Sequence, residues 1–348
     1  MSKRNFNKMD DDQIRGSSRV LRSSLAKKGG HLDEKFKKRK MTDLDPRSSQ
    51  VRNQRGRLNQ TKVKGTKSLA EKHVSTDAKK GKQGTKTTVW SIKDKHEYKI
   101  QLPLSVDTSI SWITGCHLMD SGEIIMTDFY NKSLKKLDRT SATVTVCDLP
   151  SIPFGMCYIG NNTVAVSLGQ KLQFANISGD MNLMQSVDTD HYCKGLTYHD
   201  SKILTVNDNS VFIHNYNGKQ ERCLFTYDSN AYFQGIAVSD DGQRIYIASW
   251  NIGLVTIDNK GNHLFTLSDP ELNDPFRLSL DNHGNVLICY PHSNIVMQVS
   301  PDGKNEMGRI IKATDSIEWP NSLYFDRNTS SIIVGCGGSA YLYVFDLK

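Results

Sequence analysis

The chain has 348 residues and a formal net charge of +8. No apolar run approaches the roughly 20 residues of a membrane-spanning helix, and the opening MSKRNFNKMDDD lacks the apolar stretch of a signal peptide. The seven cysteines are odd in number and form no C-x-x-C pair, which argues against a zinc finger or a disulfide framework and for reduced thiols in a cytoplasmic or nuclear protein.

The charge is unevenly placed. Of the 45 Lys+Arg and 37 Asp+Glu, residues 1–88 hold 25 and 9, a net of +16; this leaves 20 and 28, a net of −8, for residues 89–348. In the first part, apolar residues such as Val20, Leu25 and Phe36 are scattered without a period. Such a segment cannot bury enough apolar surface to offset the entropy of ordering it, so it reads as a disordered basic tail. Within it, Lys35-Phe36-Lys37-Lys38-Arg39-Lys40 has the composition of a nuclear-import signal, and equally of a solvated charge run. The whole tail is expected to touch nucleic acid without sequence preference.

From Val89 the texture changes to short apolar runs bounded by Gly, Asp and Asn, a strand signal. Tyr98–Leu102 alternates cleanly. The units that follow repeat: Gly115-Cys-His-Leu, Gly155-Met-Cys-Tyr, Gly195-Leu-Thr-Tyr and Gly235-Ile-Ala-Val are each 40 residues apart. Arg277-Leu-Ser-Leu follows after 42 residues and Ser322-Leu-Tyr-Phe after 45, both without the glycine. Second strands fall at Ile124–Thr127, Thr163–Ser167, Lys202–Val206, Arg244–Ala248, Val286–Cys289 and Ile332–Val334, and third strands follow each of them. A period of 40–45 residues with four strands per unit is the signature of a propeller blade. The fold class is therefore all-β, a six-bladed β-propeller over residues 89–348 preceded by the tail of residues 1–88. The sixth unit ends after three strands. An open edge there is a liability, so the segment 97–102 is expected to pair beside Tyr341–Phe345 and close the ring.

The segment Asp128-Phe-Tyr-Asn131-Lys132-Ser-Leu134-Lys-Lys-Leu137-Asp138 resembles an NHL repeat, and residues 105–348 resemble the C-terminal NHL-type propeller of tripartite-motif proteins. The Asp-x-x-Asn core is kept only in the first blade. Residues 1–88 contain no cysteine and only His31 and His73, so the RING and B-box zinc modules of that family are absent and no RING ligase is expected in this chain. The resemblance implies a recognition module, perhaps best pictured as the substrate-recognition part of a ubiquitin-ligase-related system. Relatives of this type bind protein partners or RNA.

Ligands of propellers meet the loops between second and third strands and the segments leading into each blade. Here these supply Phe129, Tyr130, Lys132, Lys194, Trp250, Asn251, Arg277, Tyr290 and His292 as the candidate binding face, with Trp250 and Tyr290 expected to be exposed. Trp112, Tyr192, Tyr232 and Trp319 are expected to pack between blades. A protein partner is the leading expectation. RNA is the alternative: base stacking on rings would favour it, and the −8 of the domain weighs against it. A local patch of Lys132, Lys171, Lys194 and Arg277 would offset that charge. A metal-dependent hydrolase is the third reading, through Asp128, Asn207, Asp208 and Asn251 at strand ends. Their spacing does not separate them from turn residues. His117, His199, His214 and His292 stand alone in the sequence, and no nucleophile elbow is present. No catalytic residue, metal or cofactor is expected.

Overall fold

The computed structural model describes residues 89–348 apart from positions 229, 270, 271 and 273. The expectations for residues 1–88, disorder and the import signal Lys37-Lys38-Arg39-Lys40, lie outside the described residues.

Strand β1 (Ile92–Lys99) precedes the first blade. Blade one is β2 (Ile113–Leu118), β3 (Ile124–Asp128), β4 (Ser133–Asp138) and β5 (Thr143–Asp148). Blade two is β6 (Gly155–Gly160), β7 (Thr163–Ser167), β8 (Gly169–Asn176) and β9 (Asn182–Cys193). Blade three is β10 (Leu196–His199), β11 (Lys202–Val206), β12 (Ser210–Asn215) and β13 (Gln220–Thr226). Blade four is β14 (Phe233–Val238), β15 (Arg244–Ser249), β16 (Gly253–Asp258) and β17 (His263–Leu267). Blade five is β18 (Leu278–Leu280), β19 (Val286–Tyr290), β20 (Ile295–Val299) and β21 (Glu306–Ile311). Blade six joins β22 (Pro320–Asp326), β23 (Ser331–Cys336) and β24 (Tyr341–Leu347) to β1. Each is a four-stranded antiparallel sheet, and together they make a six-bladed β-propeller. No helix of the described residues is long and apolar enough to cross a membrane.

The recurring glycine has a steric cause. Gly115, Gly155, Gly195 and Gly235 line the axis together with Arg277 and Ser322. First strands of neighbouring blades approach so closely there that a Cβ on Gly195 would lie 2.5 Å from Gln234 O, and one on Gly235 2.4 Å from Phe276 O. Away from the axis the blades diverge and larger residues fill the wedges. Between blades three and four, Leu204, Val206, Phe233, Ile247 and Val255 form one cluster; between five and six, Leu287, Val296, Leu323, Phe325 and Ile332 form another. Each such side chain contributes about 1.5–3 kcal/mol by leaving water.

The closing strand sits upstream of the expected Tyr98–Leu102. β1 pairs antiparallel with β24, with Glu97 opposite Tyr343 and Lys99 opposite Tyr341. The ladder stops at Lys99 because the amides of Ile100 and Gln101 both donate to Ala340 O (2.8 and 3.2 Å). Leu102 N–H turns instead to Asp107 Oδ2 (2.7 Å). Upstream, Ser91 and Lys348 exchange backbone bonds of 3.1 and 3.0 Å. Trp90 is buried in the cluster between blades five and six, with Nε1–H donating to Asp281 Oδ2 (2.8 Å) and its amide to Gln298 Oε1 (3.0 Å).

Candidate functional site

The loops between second and third strands and the segments leading into first strands lie at one end of every blade, and their rings meet. Tyr192 contacts Phe154 (5.0 Å between centroids), Phe154 contacts Phe129 (5.6 Å), Phe129 contacts Tyr130 (5.1 Å) and Tyr130 contacts Trp112 (5.6 Å). Trp112 then contacts Trp319 (6.0 Å), Trp319 contacts His292 (4.6 Å) and His292 contacts Trp250 (5.8 Å). The series runs from the outer strand of blade two through one, six and five to blade four, so it follows the ring round most of the face. Trp250 N–H donates to Tyr232 O (2.9 Å), and Lys194 Nζ lies 5.8 Å from the Tyr232 ring centre, which brings the crown back to blade three. Trp250 and Tyr232 are 39% and 40% exposed; the other rings are half-buried except His292, which is exposed. Of the four rings expected to pack, Trp112, Tyr192 and Trp319 are half-buried against neighbouring rings, whereas Tyr232 leaves 40% of its surface exposed.

Trp319 carries a second signal. Its φ is +54°, a left-handed conformation that bulky residues rarely adopt and that costs on the order of 1–3 kcal/mol. It is held there by its amide donating to Asn294 Oδ1 (2.9 Å) and its carbonyl accepting from Gly337 N–H (2.8 Å). Glycine would fit this backbone without strain; a tryptophan there places an indole in the crown.

Under the crown the axis is stoppered. Arg277 occupies the glycine position of blade five and sends its guanidinium into the axis. Nε–H donates to Thr114 O (3.0 Å), and the two Nη groups donate to Gln234 O and Phe154 O. Blades one, four and two are tied by one side chain. Burial lowers the Arg277 pKa to about 10, so it stays charged at neutral pH. Arg277 therefore belongs to the axis and not to the loop face, which corrects that expectation. Its guanidinium also lies 4.6 Å from the Phe276 ring centre.

The other cations are also committed. Lys194 pairs with Asp208 (2.5 Å) and Lys171 with Asp188 (3.3 Å), so two members of the expected basic patch are neutralised; Lys132 is exposed. His292 is fixed by Asp274, whose Oδ2 faces Nδ1 and accepts the His292 amide (2.7 Å). Asn251 braces the face, its Oδ1 accepting from Tyr232 N–H (3.2 Å) and its Nδ2 donating to Asn230 O (2.5 Å). Tyr290 was expected at the surface and is instead buried, 3% exposed. The strand runs one residue longer than expected, pairing Tyr290 with Ile295, and the ring packs with Leu254, Ile288 and Met297.

The residues of the hydrolase reading have local partners. Asp128 is fully buried and pairs with Lys135 Nζ (2.8 Å), which also pairs with Asp107 (2.7 Å). Asp128 further accepts from Trp112 N–H (3.0 Å) and Asn131 Nδ2 (2.9 Å). The Asp128-x-x-Asn131 motif is thus a clasp that fixes the path of the chain into blade one. Asn207 Oδ1 accepts the amides of Asn209 and Ser210 in a tight turn (3.0 and 2.7 Å). The axial cavity, about 60 Å³, has no carboxylate in its lining.

Two features escaped the sequence reading. Phe154 joins the crown; the signal was its place one residue before a repeat glycine, the position of Phe276 relative to Arg277. His214, read as standing alone, lies with His191 and Cys193 in the one group of potential metal ligands among the described residues. Strand pairing, not spacing along the chain, assembles it.

No protein-family model and no curated protein matches the chain. Solved structures do. A streptogramin B lyase and a luciferin-regenerating enzyme each align with a TM-score of 0.56 at 13% identity; both alignments cover 73% of this chain, and 98% and 95% of the other. A catalytically inactive virginiamycin B lyase from Staphylococcus aureus with quinupristin aligns with a TM-score of 0.55 at 11% identity, over 73% of this chain and all of the other (100%). At such identities the likeness defines the class, a six-bladed β-propeller, and does not carry function across. It also carries no tripartite-motif relationship.

Proposed function

We propose that the propeller is a non-enzymatic recognition module that binds an extended segment of a protein partner across the aromatic crown. One observation carries this reading: an unbroken series of ring contacts runs over five of the six blades on one face, with Lys194 at the entry to blade three set over Tyr232, above an axis stoppered by Arg277. Rigid Trp and Tyr side chains supply large contact area at small entropic cost and dominate binding hot spots. The neighbours named above are called lyase or enzyme, but the groups a hydrolase would use here are engaged in turns and in the Lys135 clasp. RNA is the less favoured ligand because Lys194, Lys171 and Arg277 are already paired and the domain is net negative. The finer expectation, the substrate-recognition part of a ubiquitin-ligase-related system, rests on the Asp128–Asn131 motif, whose observed bonds are structural.

The test is selection of peptides from a random display library on the full chain, with binding followed by tryptophan fluorescence. Three of the four tryptophans, Trp112, Trp250 and Trp319, stand in the crown, so a ligand there perturbs the signal. W250A is expected to weaken selected peptides about 30-fold, the 2 kcal/mol of a hot spot. Peptide binding indifferent to both W250A and W319A overturns the proposal. Sequence-selective binding of single-stranded RNA that W250A abolishes moves RNA to first place.

A further inference from the structure

A second site lies away from the crown, inside the wedge between blades two and three. In β9, His191 and Cys193 are two residues apart, so the pleat turns both to the same side. Across the wedge, β11 and β12 are registered with Thr205 opposite Phe212 and Ile203 opposite His214. Thr205 and His214 are therefore diagonal neighbours on one face. All four side chains are buried. The His191 ring stacks on Phe212 at 3.6 Å, which fixes its plane.

The nitrogen and sulfur atoms converge. His191 Nε2 and His214 Nε2 lie 3.0 and 2.9 Å from Thr205 Oγ1. Cys193 Sγ lies 3.3 Å from His191 Nε2, and the three potential ligand atoms are all within 4.8 Å of one another. A tetrahedral zinc ion with bonds of 2.0–2.3 Å needs ligand atoms about 3.4–3.7 Å apart. Small side-chain rotations close that difference.

The ring tautomers suit a cation. His214 Nδ1 is 3.0 Å from Gly218 O, a carbonyl that can only accept, so the ring proton is on Nδ1 and Nε2 presents a lone pair. His191 Nδ1 is buried without a partner in hydrogen-bond geometry, and so is Gln220 Oε1. A proton on His191 Nδ1 likewise leaves Nε2 bare. Two imidazole lone pairs then face the Thr205 hydroxyl and the Cys193 thiol, so all the donor atoms a cation needs point at one another. Outward Nδ1–H groups oriented by acceptors are the usual outer support of metal-bound histidine.

We propose that His191, Cys193 and His214 form a closed site for Zn2+ or a divalent cation of similar softness, with Thr205 Oγ1 as the fourth donor. A borderline-soft ion accepts two imidazoles and a thiolate where a hard one prefers oxygens. On binding, the sulfur–hydrogen bond of Cys193 breaks, a sulfur–metal bond forms and the proton leaves to solvent. The ion pins the outer strand of blade two to blade three and is structural: the wedge leaves no open position for substrate.

The experiment titrates the full chain, stripped by a chelator, first with Co2+ and then with Zn2+. The expected result is one equivalent of Co2+ showing a thiolate-to-metal charge-transfer band and the strong d–d absorption of a tetrahedral site, both bleached by Zn2+. C193S loses the charge-transfer band and H214N the tetrahedral d–d intensity. Zn2+ at a hundredfold excess over its Kd raises the melting temperature by about 5–10 °C. Should the variants fail to fold, zinc-edge X-ray absorption of the wild-type chain decides, with one sulfur and two imidazoles in the first shell expected. A shell of oxygens and nitrogens only, a Co2+ complex without the charge-transfer band, or the band surviving in C193S overturns the proposal.

Discussion

Replacing Lys135 by methionine is the sharpest test of how the first blade is held. Lys135 is fully buried, and its Nζ pairs with Asp107 (2.7 Å) and Asp128 (2.8 Å) and donates to Ser111 Oγ (3.0 Å) and Ile100 O (3.2 Å). One ammonium thus joins the end of the closing strand, the connection that follows it and β3. K135M keeps most of the apolar stem and removes the charge, leaving two buried carboxylates facing each other. Breaking a buried pair by deleting one partner costs about 3–5 kcal/mol. For a domain of this size that is a fall in melting temperature of roughly 6–20 °C. The assay is urea and thermal unfolding followed by far-ultraviolet circular dichroism and tryptophan fluorescence in parallel. The triple variant D107N/D128N/K135M is expected to lose less than K135M alone, because no uncompensated charge remains. Stability of K135M within 1 kcal/mol of wild type would refute the clasp; a triple variant as unstable as the single one would show that packing, and not charge, carries it.

Three further outcomes follow from the same geometry. G235A forces a Cβ to within 2.4 Å of Phe276 O, and unfolding should show a loss of about 2–3 kcal/mol, as overpacking does, where G122A, strained but uncrowded, loses less. R277A leaves carbonyls of three blades without their charged donor, expected to cost about 1.5–3 kcal/mol in denaturant; a loss below 0.5 kcal/mol would mean water replaces the guanidinium. His117, stacked on Tyr158 at 4.8 Å and edge-on to Tyr324 at 4.7 Å, is held neutral by burial, which lowers its pKa from about 6.5 to about 4. The unfolded chain takes up that proton first, so stability falls as pH drops from 6.5 to 4, by at most about 3 kcal/mol at 1.4 kcal/mol per unit and less as solvent reaches the ring. H117Q should flatten that part of the stability–pH curve, and an unchanged slope would remove His117 as its cause.

The repeat of 40 residues gave the blades their number and order because steric crowding at the axis writes a glycine into each first strand. The same periodicity says nothing about what replaces the glycine. Arg277 read as a lost repeat residue, whereas its long side chain uses the space that four glycines leave open. Tyr290 was misplaced for a smaller reason: a loop boundary set one residue early moves a side chain to the opposite face. The aromatic positions were legible one by one, but their contacts depend on which blade neighbours which. The grouping of His191, Cys193 and His214 was invisible for a related cause, since short spacing is how metal sites on loops announce themselves, and here the three residues come together from strands β9 and β12 of neighbouring blades.

The stopper and the crown constrain each other. With the guanidinium of Arg277 spanning Thr114, Gln234 and Phe154, a ligand meets a floor and cannot thread the axis. Binding energy must come from lying across the rings. The blade-to-blade wedges need bulk, and the half-buried edges of Trp112, Phe129 and Phe154 supply it. Wedge filling does not account for Trp250 and Tyr232, which leave about 40% of their surfaces in water, nor for the left-handed backbone of Trp319. Glycine in place of Trp319 would relieve that strain. Strain retained at one indole, on the face that also carries two exposed rings, is what the proposed binding of a partner there would explain.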